Sequence, residues 1–410
     1  MTRRFDTPDA YQGEIISRVK RARAQADPRK RDLSPAVLDF GPVRIVVARH
    51  FGFCYGVENA VETAYRILSE HPGRRVFFLS EMIHNPKVNG DLRERGVRFV
   101  FTPSGEQLVP WEDLGAEDIV VVPAFGTTLE MQERLAARGI DAYSYNTTCP
   151  FVEKVWKRSA SLGAGGYTVV VHGKAAHEET RATFSHSRRG ASTVIVRNIE
   201  EARILGDVIR GVRPPADFAE HFSSKCSEGF DPEVDLSRIG VVNQTTMLAT
   251  ETHEIAQELR RALADRYGAD ALAEHYADTS DTLCYATNEN QDATYALIDR
   301  GADLAVVVGG YNSSNTSHIV ELCESAMPTY FIDGAHEILS RDEIRHFSLQ
   351  SRAMKTTRGW LPERRSVDVV LTCGASCPDA ILDEVLLRTL SLFEGVRPAG
   401  EVLAPYPVTA

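Results

Sequence analysis

No apolar run in this 410-residue chain approaches the roughly 20 residues of a membrane-spanning helix; the longest are runs such as Ile119–Val122 and Leu304–Val308. An integral membrane role is therefore not expected. Positive charge is short as well. There are 46 Lys and Arg against 57 Asp and Glu, a formal charge of −11, which argues against a nucleic-acid binder because phosphate contacts need a basic face. Cysteine is sparse and odd in number, seven with no CxxC. A disulfide scaffold is not expected, and reduced thiols in the cytoplasm are. No GxGxxG follows a strand-like run, so the chain is not expected to hold a nicotinamide or flavin itself. The amino terminus lacks the apolar core of a secretory signal and is too acidic and too poor in Ser for a transit peptide.

That terminus still departs from the average. Residues 1–32 carry nine basic and five acidic side chains, +4 against −15 for the rest. The plain reading is a solvated helical extension around Tyr11–Ala26; the sharper one is a contact with an acidic electron-transfer partner. From about residue 42, short β-branched runs recur: Val43–Ala48, Val76–Leu79, Ile119–Val122, Thr168–Val171, Ile239–Val242, Leu304–Val308 and Val367–Leu371. Helical spacing lies between them, as in Val57, Ala60, Val61, Ala64 and Leu68, or Leu248, Ile255, Leu259 and Leu263. Strands apolar on both faces, alternating with helices, give an α/β fold of parallel sheets covered by helices. The rhythm suffices for three small α/β units, 42–149, 150–281 and 282–395, between a basic extension 1–41 and a tail 396–410. Residues 211–237 read as a loop-rich insertion, and the basic stretch Arg341–Arg365 as surface before the last strand.

Open parallel sheets bind ligands beyond the carboxyl ends of their strands. Those positions read HFGFCYG, SEMIHN, PAFGTT, NTTCP, HGKAAHEE, NQTT, GGYNSSNT and CGASCPD. One polar turn there means nothing, because strand–helix turns use Gly, Ser, Thr and Asn for backbone reasons; eight of this density point to a ligand. Three cysteines stand out. Cys54 lies between Gly52 and Gly56 ahead of an amphipathic helix. Cys149 precedes Pro150, a favoured first helical residue, where free N–H groups would stabilise a thiolate. Cys284 precedes Thr287, a candidate cap. Three thiolates can hold three irons of a [4Fe–4S] cluster and leave the fourth open to substrate; zinc on three Cys and one His is the rival. Cys323 reads as packed and Cys226 as incidental.

Taken together, GFCYGVENAV, IHNPKVN, TTCPFVEKV, HGKAAHEET, NQTTML, DTLCYAT, YNSSNTSH and GASCPD resemble, in order, the motifs of the LytB/IspH family of 4-hydroxy-3-methylbut-2-enyl diphosphate reductases. The resemblance runs from Val43 to about Leu390, and the long amino terminus resembles the branch common in photosynthetic organisms. It implies three α/β units in a pseudo-threefold trefoil around a central iron–sulfur cluster. It also implies a two-electron reductive dehydroxylation that yields isopentenyl and dimethylallyl diphosphate, the last step of the methylerythritol phosphate route.

By that resemblance Cys54, Cys149 and Cys284 ligate the cluster, and Glu179 is the proton-relay carboxylate. Thr245 helps orient the substrate hydroxyl and its protons. His84, His177, Asn312, Ser313, Ser314, Asn315 and Ser376 bind the diphosphate. A ferredoxin or flavodoxin is the implied electron donor; the oligomeric state is left open, a homodimer included. The chain departs from the family at Phe125, where many members carry His, and at Cys377, which with Cys373 makes a CxxxC pair around Ser376. That pair reads as packed, with oxidation perturbing the diphosphate site as the sharper alternative. A quinolinate-synthase-like lyase or a non-enzymatic iron–sulfur sensor are the competing functions.

Overall fold

The structure is a computed structural model that describes residues 5–279 and 282–407. Asp281, which opens DTLCYAT and ends the expected middle unit, lies outside the described residues, as do the first four residues of the extension and the last three of the tail.

In chain order the strands are β1 (Ala36–Asp39) and β2 (Val43–Val47), then β3 (Val76–Phe78), β4 (Arg98–Phe99) and β5 (Ile119–Val121). Next come β6 (Thr168–His172), β7 (Thr193–Val196), β8 (Ile239–Asn243) and β9 (Tyr276–Ala277). β10 (Leu304–Val308), β11 (Thr329–Ile332), β12 (Glu343–Ser348), β13 (Ala353–Arg358) and β14 (Val367–Cys373) complete the set. They form three sheets, ordered β1-β2-β14-β10-β11-β12-β13, β4-β3-β5 and β7-β6-β8-β9. The β2-β14-β10-β11 core of the first sheet and all pairs of the other two are parallel. β6, β8 and β10 are buried at every residue, as expected of parallel strands covered on both faces. The three α/β assemblies expected from the sequence are therefore present.

The chain divides differently from the contiguous expectation. It forms two compact units, one holding the residues up to Glu62, His84–Gly90 and those from Tyr285 onward, the other Thr63–Ile83 and Asp91–Cys284. β2, expected to open the 42–149 unit, instead pairs in register with β14, Val43 against Val367 and Val47 against Leu371. Pattern alone gives a strand its faces but not its partner.

The amino-terminal extension is not solvated. Tyr11, Ile16 and Val19 are buried, and the helix Ile15–Ala26 packs on the helix Asp379–Leu390. Asp383 accepts from the N–H groups of Ile15 and Ile16, both at 2.9 Å, and so satisfies donors a helix start leaves orphaned. Asp379 accepts from Ser17 Oγ and Lys20 Nζ at 2.8 Å. The 211–237 segment is likewise more than loop: the helix Pro215–Phe222 buries Phe218 and Phe222 in the core of the four-stranded sheet, and Phe230 stacks on Phe218. Within Arg341–Arg365, β12 and β13 form an antiparallel hairpin whose outer strand is exposed, while Trp360 and Leu361 anchor the return.

Candidate active site

In the first unit, β2, β14 and β10 lie side by side and run parallel. Their carboxyl ends therefore deliver HFGFC, GASC and GGYNSSN to one edge of the sheet. Ser313 caps the helix Ser314–Glu324, its Oγ accepting from Thr316 N–H at 3.2 Å and from Thr316 Oγ1 at 3.0 Å. Asn315 Oδ1 accepts from Ala375 N–H at 2.9 Å and Asn290 Nδ2 at 3.3 Å. Ser376 Oγ donates to the His84 carbonyl at 3.1 Å, and Asn312 Nδ2 lies 3.1 Å from His84 Nδ1. His84, Ser313, Ser314, Asn315 and Ser376 are all under 9 % exposed. The approach is close enough to require glycine: a Cβ on Gly310 would sit 2.5 Å from the His84 carbonyl oxygen, and one on Gly374 2.0 Å from Thr316 Oγ1. Cys54 joins this network through its N–H, which donates to the Ala375 carbonyl at 3.3 Å.

The second unit gathers a different set. Glu179, 1 % exposed, stands in the first turn of the helix Glu178–Arg188, which His177 caps by accepting from Glu179 N–H at 3.2 Å. Glu179 Oε1 in turn accepts from Thr245 N–H at 2.5 Å, and the Thr245 carbonyl accepts from Cys284 N–H at 3.2 Å. β6 and β8 are neighbours, which is why the HEE run after one and the NQTT run after the other meet. Phe125 packs edge-on to His177 with centroids 5.7 Å apart, an apolar neighbour at the position where the family often has a histidine.

Cys149 caps the helix Pro150–Ala164 as expected, with its N–H on the Ala124 carbonyl at 2.9 Å. Its thiol, however, is not held low. Burial foremost, joined by the nearby charges of Cys284 and Glu179, pushes it up to about 12 against the pull of the Phe151 and Val152 N–H groups. The helix-terminus argument gave the right direction for the two N–H contributions and missed the largest one, burial. A thiolate here needs a cation beside it. Such a donor set suits a thiophilic metal centre, which stabilises thiolate outright.

The LytB protein family model matches residues 45–389. The chain belongs to the LytB family. Curated relatives named 4-hydroxy-3-methylbut-2-enyl diphosphate reductase include one from Gloeobacter violaceus, 40% identical over 88% of this chain and 85% of the relative. One from Synechococcus sp. (strain RCC307) is 38% identical over 96% and 92%. A solved structure of (E)-4-hydroxy-3-methyl-but-2-enyl diphosphate reductase, described as the terminal enzyme of the non-mevalonate pathway, has 25% identity and a TM-score of 0.51. It aligns with 85% of this chain and 99% of its own. The Plasmodium falciparum reductase structure, 20% identical with a TM-score of 0.60 over 84% and 86%, shares the fold.

Each residue singled out from the sequence lies in a run that follows a strand or leads into a helix. The structure brings His84, Asn312, Ser313, Ser314, Asn315, Ser376 and Cys54 into one unit, and Cys149, His177, Glu179, Thr245 and Cys284 into the other. Asn290 was missed. Its signal is a helix-interior asparagine, a poor helix former, on the buried face of Tyr285–Arg300. Cys373 and Cys377 are fully buried free thiols, and burial and the neighbouring Cys373 thiol raise Cys377 well above the ordinary range. They are packing residues, protected from oxidants by burial. No helix among the described residues is long and apolar enough to cross a membrane.

Proposed function

We propose that this chain reduces (E)-4-hydroxy-3-methylbut-2-enyl diphosphate to isopentenyl and dimethylallyl diphosphate. The observation that carries the reading is the buried Glu179 carboxylate, fixed by Thr245 N–H beside the thiols of Cys149 and Cys284. Carbon–oxygen cleavage at an allylic position needs a proton for the departing oxygen and two electrons for the carbon skeleton. The side chains supply the first alone. Cys54, Cys149 and Cys284 would hold a [4Fe–4S] cluster with its fourth iron open to substrate, and that cluster would supply the electrons.

Glu179 is positioned to hold the proton at its second oxygen while Oε1 stays on Thr245 N–H, so proton delivery costs little reorganisation. Thr245, fixed at both its N–H and its carbonyl, presents its hydroxyl from a set backbone. The diphosphate is received by His84, His177, Asn312, Ser313, Ser314, Asn315 and Ser376. Hydroxyl, amide and imidazole donors to an anion form charge-assisted bonds that burial strengthens. The start of the helix Ser314–Glu324 adds N–H groups aligned toward negative charge. A ferredoxin or flavodoxin delivers the electrons, the compartment is the cytoplasm, and a homodimer is compatible with each role.

Anaerobically purified protein given the hydroxylated diphosphate and a low-potential reductant should form both isoprenoid diphosphates. Neither product appearing while the cluster stays intact would remove this reading. A lyase would turn over without reductant, and a sensor would keep its cluster without turning over.

A further inference from the structure

The first unit contains a cavity of about 290 Å³ where the amino-terminal segment covers the run leading from β2 to Cys54. Its charged lining is mostly cationic: Lys20, Arg21, Lys30 and Arg49, against Glu289 as the carboxylate among its described lining residues, with His50 beside them. In a chain of net charge −11 that concentration is unusual. Part of it is neutralised in place. Lys20 is bound to Asp379 at 2.8 Å, Lys30 to Glu289 at 2.9 Å, and His50 Nδ1 lies 3.5 Å from the same Glu289 oxygen. Arg49 Nη2 donates to the Asp27 carbonyl at 3.1 Å and lies 3.9 Å from its carboxylate.

What these pairs leave over is specific. The side chains of Arg49 and His50 are 5% and 8% exposed, and Arg49 Nε and His50 Nε2 are buried without a hydrogen-bond partner among the described residues. A buried guanidinium N–H left unpaired is costly. The unpaired Arg49 N–H, on a side chain that lines the cavity, marks a place for an acceptor.

We propose that this cavity binds a small phosphorylated anion of the diphosphate class, distinct from the Ser, Asn and His site at the end of β10 and β14. Arg49 presents a planar fork that fits two oxygens of a phosphoryl group. Arg21 and Lys30 reach over from the amino-terminal segment, and a ligand of charge −2 or more balances them where a single carboxylate does not. A protein's acidic patch does not reach donors this deeply buried, whereas a free anion does. Occupancy ties the extension to the loop that carries Cys54.

The test is calorimetric titration of the full-length, anaerobic holoenzyme with inorganic pyrophosphate and, in parallel, methyl diphosphate and citrate. A site should be seen in the wild type that weakens at least tenfold in an Arg21→Gln, Lys30→Gln double variant, whose kcat and KM stay within twofold of wild type. Arg49→Gln, folded by circular dichroism, should lose it altogether. The tighter of the two diphosphates identifies whether the free anion or an ester is the occupant. Pyrophosphate and methyl diphosphate binding unchanged in the double variant overturns the proposal, as does citrate binding as tightly as pyrophosphate. The outcome does not depend on turnover, so it stands apart from failure of the reductase reading.

Discussion

The two units divide the chemistry unequally. In the proposed reading the first carries the neutral diphosphate donors other than His177, held by one another and by backbone: Asn312 on the His84 ring, Ser376 on the His84 carbonyl, Asn315 on the Ala375 N–H. The second holds groups that change protonation or bind metal, Glu179, Cys149 and Cys284, and fixes them through backbone N–H groups and carbonyls. Neutral side chains held by one another and by backbone lock geometry without adding charge, which suits binding. Backbone bonds leave a reactive atom free to gain or lose a proton, which suits chemistry. The difference teaches that a polar turn is to be read by what it fixes rather than by how polar it is.

Substitutions in the two units should then fail in different ways. Cys284→Ser should abolish turnover and lower bound iron; full iron content with full turnover would remove it from the ligand set. Glu179→Gln should cost about 10²–10⁴-fold in kcat with iron content intact, the range of general-acid contributions; unchanged kcat would place the proton elsewhere. Ser376→Ala should act on the other side of the comparison and raise KM about tenfold, as loss of one charge-assisted bond does, with kcat little changed. A fall in kcat alone would erase the distinction between the units.

Two smaller effects concern stability. Asp383→Ala leaves two N–H groups at the start of Ile15–Ala26 uncapped and should cost about 1–2 kcal/mol in denaturant unfolding. No change would mean the extension is held by its apolar face alone. His50, normally near 6.5, is pushed down to about 4, by burial foremost and by the charges of Lys30, Arg49 and Arg23, against the pull of Glu289. The unfolded chain takes the proton first, so the stability His50 provides is complete above 6.5 and is lost as pH falls through 4. His50→Gln should flatten the stability profile in that window, and an unaltered slope would assign it to other groups.

Much of this was legible in the sequence. All seven β-branched runs are strands, because strands buried on both faces leave near-continuous apolar signatures. The site residues announced themselves by type and place, small polar residues and Cys after strands. Pairing was not legible. Nothing in VRIVV says that it lies beside VDVVLTC some 320 residues on, since register follows from partners that only folding selects. The docking of the extension was hidden for a related reason: Ser17 and Lys20, read as solvated, are paired with Asp379, and its helix start is held by Asp383, both at the other end of the chain. Arg49 and His50 were passed over because their burial comes from tertiary packing around them.

The pairing of β2 with β14 sets an order of events on the ribosome. β2 is made within the first fifty residues beside its antiparallel neighbour β1, yet its parallel partner β14 begins only at residue 367. The segment Thr63–Ile83 with Asp91–Cys284, a compact unit by itself, is complete far sooner, and contacts of short separation form first. For most of synthesis, then, Cys54 follows a strand paired on one edge alone, with β1, while Cys149 and Cys284 already sit on folded ground. Arrest of translation before the last strand would release a chain with an exposed β edge, a substrate for chaperones rather than an enzyme short of one helix.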